Sequence, residues 1–316
     1  MTDQHDTVTL VPNQGWDQRV LVCRCGPIVD AFVVVSARYV VLVDTMISPQ
    51  TARGMLAIAQ EHLAGGRQLL VVNTHVDWDH FWGNQLFAGP QAIHPAPIFA
   101  SRHSAPRFRD EETIQRFLAE MRAQRPGRYD EVQVTRPTVL FDDRLLIDGG
   151  DLTVELFPTP GHQPDHIAVY IPEIGTLLSG DAAEFPFPFP ESAATLPALR
   201  ESLARMAALD PAVALYCHAP ATSGPELLRD NIAYFDTLEL RCRDALARGV
   251  PARPGEGEDV EHLVEYPFAE AVPERLREQP VADFYRKGHQ EAIRMMLEYL
   301  HAQMTTDDRR PTTETR

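Results

Sequence analysis

The chain has 316 residues, 44% hydrophobic and 23% charged, the proportions of a soluble globular protein large enough for one sizeable domain plus an appendage. Its formal net charge of −16 excludes a nucleic-acid backbone or an anionic membrane as the main partner, since both would repel it. The opening MTDQHDTVTL lacks a basic segment leading into an apolar core, and no apolar run reaches bilayer length, so a reducing cytoplasm is the expected compartment.

Residues 1–15 read as a loosely attached start. Arg19 to Arg24, Ala31 to Ser36 and Tyr39 to Asp44 read as three strands, and the unbroken apolar runs at Val33-Val34-Val35 and Val40-Val41-Leu42-Val43 place them inside a covered sheet. Cys23 and Cys25 lack the two-residue spacer of a zinc pair and read as reduced thiols of one strand. Ser48 or Thr51 caps a helix that runs to about Leu63 and stops at Gly65-Gly66. A buried strand, Gln68 to Asn73, follows.

Past that strand, Phe81 to Phe87 reads as a short helix, Ala92 to His94 as a short strand, and Ile98 to Ala100 as a proline-flanked turn. Glu111 to Arg122 has helical spacing, and 125–137 reads as surface loop. Phe141 to Ile147 and Asp151 to Phe157 flank the hairpin signal Asp148-Gly149-Gly150. Ile167 to Ile171, Thr176 to Ser179 and Val213 to Tyr216 are further strands. A helix capped by Thr195 runs to Ala208, with Leu196, Leu199, Leu203 and Met206 on one face. Beyond His218 the pattern turns helical, over Glu226 to Arg248 and Val281 to His301. The expected division is an αββα domain over 15–222, a helical extension over 223–303 packed on it, and a disordered tail over 304–316. The extension either covers the site or forms a homodimer face.

Chemistry concentrates at strand ends. The loop after Asn73 carries His75, Asp77, Asp79 and His80 within six residues. His162 follows the strand ending at Phe157, Asp181 follows Ser179-Gly180, and His218 follows Tyr216-Cys217. These seven residues offer only nitrogen and oxygen donors, which suit Zn²⁺, Fe or Mn²⁺. A closed structural site takes four ligands; seven point to two ions with positions left open for water.

The pieces Thr74-His75, Asp79-His80, Gly83, Gly161-His162-Gln163-Pro164, Leu178-Ser179-Gly180-Asp181 and His218 stand in the order of a known pattern. It resembles the metallo-β-lactamase-fold hydrolases, whose motif is H-x-H-x-D-H followed by a distant His, Asp and His. The resemblance spans about residues 20–220 and implies an αββα sandwich with the site at one edge of two facing sheets. It implies that His75, Asp77 and His162 hold a first ion, that Asp79, His80 and His218 hold a second, and that Asp181 bridges them. It also implies two divalent ions, zinc first and iron or manganese as alternatives, acting on a small-molecule substrate.

The chain departs from that pattern in three places. Asp77 stands where most members have histidine, Cys217-His218-Ala219 replaces Gly-His-Gly, and Asp165 replaces a common glycine. Two cations would lower the pKa of a shared water and polarise an electrophile's oxygen, with Asp79 orienting that water. The expected reaction is hydrolysis of an ester, thioester, lactone, amide or phosphoester. The alternative is a non-haem diiron redox protein, because the carboxylate at 77 resembles the glutamate of flavodiiron proteins. Away from the ligands, His166 reads as a surface or core histidine ahead of a residue supporting the ligands, and His289 as a helix-surface residue ahead of one draped over the site mouth. The run Phe185-Pro186-Phe187-Pro188-Phe189-Pro190 reads either as an apolar pocket lining or as a satellite core.

Overall fold

Residues 6–307 are described by a computed structural model. Strands β1 (Val8–Leu10), β2 (Val20–Cys25), β3 (Val29–Val35) and β4 (Tyr39–Val43) run antiparallel at one side of a seven-stranded sheet. Every residue of β3 is buried, as its unbroken apolar pattern requires of a strand covered on both faces. Helix α1 (Pro49–Gln60) starts in a capping box: the Ser48 hydroxyl accepts the Thr51 N–H, and the Thr51 hydroxyl accepts the Ser48 N–H. This helix carries the chain across to β5 (Gln68–Val72), parallel to β4. Helix α2 (Trp78–Phe81), β6 (Ile98–Ser101), α3 (Glu111–Gln124) and β7 (Val139–Phe141) complete this half, with β6 and β7 parallel to β5.

The chain then changes sheets. Strands β8 (Leu145–Asp148), β9 (Thr153–Pro158), β10 (Ile167–Ile171) and β11 (Thr176–Leu178) run antiparallel, and after α4 (Leu196–Ala208) strand β12 (Val213–Leu215) joins parallel to β11. Helices α5 (Glu226–Ala247), α6 (Val260–Val264), α7 (Phe268–Ala271) and α8 (Phe284–Asp307) end the described chain. The alternation along β10 defines the layers. Ile167, Val169 and Ile171 join a core shared with the first sheet and α1, while Ala168 and Tyr170 join a core shared with α4, α5 and α8. The architecture is an αββα sandwich with a helical C-terminal region.

Several expectations needed correction. Residues 8–10 are a paired strand, Val8 opposite Cys25, seated over Gly54 of α1, where a Cβ would lie 2.9 Å from the Val8 Cβ. The strand expected over Phe141 to Ile147 is two, because Asp142-Asp143-Arg144 break the run and let each half enter a different sheet. Residues 92–94 form a turn, and Ile98–Ser101 is the strand. In place of the helix expected over Phe81 to Phe87, α2 ends at Phe81 with Asp77 as its cap, and Asn84–Leu86 form a separate 3₁₀ turn. Thr195 precedes α4 without a side-chain cap bond. Of the tail expected from 304, the first residues continue α8 to Asp307; 308–316, like 1–5, lie outside the described residues.

The aromatic run after Asp181 is core, not pocket wall. Phe187 is fully buried and stacks on Tyr234 of α5 with ring centroids 4.1 Å apart. Phe187→Ala is therefore expected to lower unfolding free energy by about 3–5 kcal/mol in denaturant titration. A loss under about 1 kcal/mol would return this side chain to a solvent-filled pocket.

Candidate metal centre

The donors are delivered by chain ends of one orientation. β9, β11 and β12 run the same way, so the segments after them emerge at one edge of the second sheet. The loop after β5 meets them there. The Ile167 N–H donates to the Thr74 carbonyl at 2.8 Å and the Asp30 N–H to the Cys217 carbonyl at 2.9 Å, tying the two sheets together beside the site. Two glycines allow the close approach. Gly180 has φ +55° and a Cβ there would lie 2.6 Å from His166 Nε2; Gly161 has φ +132° and a Cβ would lie 2.3 Å from the Leu199 backbone.

All seven sequence-predicted donors come together, and Asp181 is at their centre. Its Oδ2 lies 3.1 Å from His80 Nε2, 3.2 Å from His218 Nε2, 3.7 Å from His75 Nε2 and 3.8 Å from His162 Nε2. Asp79 approaches His80 Nε2 at 3.6 Å and His218 Nε2 at 3.4 Å, and Asp77 Oδ2 lies 3.9 Å from His162 Nε2. Donor atoms lie within 4.8 Å of one another in groups that include His75, Asp77 and His162; Asp79, His80 and His218; and His75, His80 and Asp181.

The hydrogen bonds behind the imidazoles fix which nitrogen faces inward. Asp44 Oδ1 accepts the Thr74 N–H at 2.7 Å, and Oδ2 accepts the Thr74 hydroxyl at 2.8 Å and His80 Nδ1 at 2.8 Å. The Thr74 hydroxyl thus spends its proton on Asp44, so at 3.0 Å His75 Nδ1 is the donor to Thr74 Oγ1. His162 Nδ1 donates to the Phe189 carbonyl at 2.9 Å. In each ring Nε2 is left to offer its lone pair to the centre. Those Nε2 atoms of His75, His80 and His162, with Asp181 Oδ1, are buried without a hydrogen-bond partner. Each such group costs roughly 1–3 kcal/mol when left so. Four orphaned donor atoms pointing at one another are the arrangement a cation satisfies.

The electrostatics agree. Burial opposes charge on His80, yet the Asp181, Asp79 and Asp44 carboxylates outweigh it and raise its pKa well above the usual value. His218 is raised in the same way, burial opposing and Asp181 and Asp79 prevailing. Asp181 falls well below the carboxylate range, because His218 and His80 overcome its burial. His75 falls well below the usual value through burial, then through repulsion from His80. The site favours positive charge at its centre, and a metal ion carries that charge as well as a proton does.

Several supporting residues were not foreseen, or, for His166, foreseen only as the second reading. Asp44 was read only as the end of a strand; the one signal was a carboxylate closing a wholly apolar run. It sits at φ 68°, a left-handed conformation that aspartate tolerates. His166, read as structural, is buried, and its Nε2 accepts the Asp181 N–H at 2.9 Å while its Nδ1 bonds Thr159 Oγ1 at 2.7 Å; burial pushes its pKa down to about 3. Asp165 Oδ2 accepts the Val76 N–H at 3.0 Å and so steadies the ligand loop. Glu184 is buried beside His162 and Asp181, with burial first and the Asp181 charge second pushing it up to about 7. His289 is not on a helix surface. It is buried among helices, bonded to Tyr234 Oη and the Tyr266 carbonyl, because the apolar face of α8 turns that residue inward.

A family model described as the metallo-beta-lactamase superfamily matches residues 26–218. A hydroxyacylglutathione hydrolase from Hahella chejuensis is 26% identical over 255 residues, 75% of this chain and 84% of that protein. An acyl-coenzyme A thioesterase from Gallus gallus is 30% identical over 139 residues, 42% of this chain and 48% of its own length. Among solved structures, a metallo-beta-lactamase family protein from Thermus thermophilus gives a TM-score of 0.59 at 20% identity, covering 94% of each chain. The sec-alkylsulfatase Pisa1 from Pseudomonas sp. gives 0.60 at 17%, covering 90% of this chain and 49% of that one. At these identities the structural likenesses speak for the fold alone.

Of the seven sequence-predicted donors Asp44 bonds His80, orienting that ring, and it also holds Thr74. Asp44→Asn is expected to lower metal affinity about 10–100-fold in chelator competition, with the fold retained. Wild-type affinity in that variant would remove Asp44 from the support of the centre.

Proposed function

The chain belongs to the metallo-beta-lactamase superfamily, and from that premise we propose a dinuclear metal-dependent hydrolase whose substrates are acyl thioesters. The carrying observation is the set of imidazole Nε2 atoms within 3.8 Å of one Asp181 carboxylate oxygen, three of them orphaned in the interior. In this reading His75, Asp77 and His162 hold one divalent ion, Asp79, His80 and His218 hold the other, and Asp181 bridges them. Zinc is the first candidate for both, in keeping with imidazole and carboxylate donors. When bound, such a pair supplies a water of lowered pKa and polarises the carbonyl oxygen.

The chain's own residues do the rest. Asp79, with its side chain 11% exposed, orients the attacking water by accepting one of its protons. Asp44 and Thr74 hold His80 and His75 in the tautomers described, and His166 fixes the backbone N–H of Asp181. Thioesters suit the site because a thiolate leaves with a pKa of about 8.5 and needs no proton donor, unlike an amine. The names of the two curated relatives support the same class. A small-molecule substrate and a cytoplasmic setting go with this reading; among the described residues no helix is long and apolar enough to cross a membrane.

Elemental analysis of protein purified without added metal, paired with acyl-coenzyme A and S-acylglutathione assays, tests it. Two zinc ions per chain and thioester turnover are expected; Asp181→Ala should lose most of the metal and all turnover. Turnover retained in that variant would end the bridging role, and two irons with an oxo-to-iron absorption band would favour redox chemistry instead. Asp77→His should tighten zinc binding at the first site in chelator competition, whereas unchanged affinity would mean that Asp77 is not a ligand.

A further inference from the structure

Position 77 is a weak point of the first ion's donor set. The Asp77 side chain is 32% exposed, its Oδ1 accepts the Trp78 N–H as the cap of α2, and its Oδ2 is 3.4 Å from Gln163 Nε2. It is shorter than either an imidazole or a glutamate. A second and more deeply buried carboxylate lies beside His162. Glu184 is 3% exposed and offers an oxygen within 4.8 Å of donor atoms of both His162 and Asp181. Those are two of the residues whose buried atoms, His162 Nε2 and Asp181 Oδ1, have no hydrogen-bond partner.

Glu184 is also held with unusual care. Its N–H donates to Asn231 Oδ1 at 3.0 Å, and its carbonyl accepts Asn231 Nδ2 at 2.9 Å, a reciprocal pair formed with a fully buried residue of α5. Its Oε2 accepts the Tyr285 hydroxyl of α8 at 2.6 Å. A carboxylate buried beside another carboxylate is costly unless a cation answers it. The tyrosine occupies one oxygen with a neutral bond and leaves the other available.

We propose that Glu184 is a ligand of the ion on the His162 side, supplying the carboxylate that Asp77 delivers poorly, and that Tyr285 presets its orientation. The C-terminal helices thereby complete the metal centre: α5 fixes the Glu184 backbone and α8 its side chain. This rests on the dinuclear reading above. Proton bookkeeping is simple: Glu184 binds as the carboxylate, and any proton it carries is released to solvent when the ion enters.

The test is zinc titration of the full chain, with metal counted by elemental analysis after dialysis and Co²⁺ as a spectroscopic probe. Glu184→Gln keeps an acceptor for Tyr285 but loses the charge. It should weaken one of the two ions about 100-fold, reduce bound zinc from two toward one, and change the Co²⁺ visible band. Tyr285→Phe, which keeps the carboxylate, should weaken the same ion about 10-fold, as loss of a ligand's orienting partner does. Should Glu184→Gln fail to fold, Glu184→Asp keeps charge and shortens reach; it should weaken the ion and shift the band. A folded Glu184 variant with two ions at wild-type affinity and an unaltered Co²⁺ spectrum overturns the assignment. Wild-type protein that binds no ion pair overturns both this assignment and the dinuclear reading; a pair that survives Glu184→Gln unaltered overturns this one alone.

Discussion

The structure turns on one electrostatic constraint: Asp181 is buried at the meeting point of two sheets with other carboxylates close by. Asp79, Asp44 and Glu184 are buried in the same region. Carboxylates sequestered from water repel one another and lose hydration, so the fold must supply positive charge there. It does so with four imidazoles on three separate segments, each aimed with Nε2 toward the centre. Imidazoles alone leave three of those nitrogens and one carboxylate oxygen without partners. The pair of dications proposed above would resolve the deficit in charge and in coordination at once.

Precision at the centre comes from a rigid surround. Asp44 and Thr74 form one bonded unit behind His75 and His80, and Thr159 with His166 form another behind Asp181. Each unit joins residues from different strand ends, so the ligand loops move only with the sheets that carry them. Close contacts at Gly161 and Gly180 leave no space for a side chain that would wedge the loops apart. The apolar strands supply stability, and the polar loops draw on it to hold an arrangement that is costly in isolation.

What the sequence revealed follows from periodicity and local clustering. The covered strands β3, β4 and β5 were legible from apolar runs, and α1 from its cap and its glycine stop. His75 to His80 stood out because four donors share one loop, and His162, Asp181 and His218 because each follows a strand. Asp44, His166, Glu184 and Tyr285 were hidden for a different reason. Their roles depend on partners 15 to 101 residues away, and no short-range pattern marks such a bond. His289 was misjudged because helical spacing alone does not say which face of α8 is covered. The break between β7 and β8 was missed although Asp142-Asp143-Arg144 interrupt the apolar pattern, because a short charged insert does not say that the halves on either side serve different sheets.

The helices beyond β12 share a core with the second sheet, and Tyr285 of α8 bonds Glu184 beside His162 and Asp181. The most direct test of that centre is anomalous diffraction from crystals grown with zinc, recorded on both sides of its absorption edge. The account predicts two strong peaks flanking Asp181, one against His75 and His162 and the other against Asp79, His80 and His218. A single peak, or peaks lying away from Asp181, would contradict it.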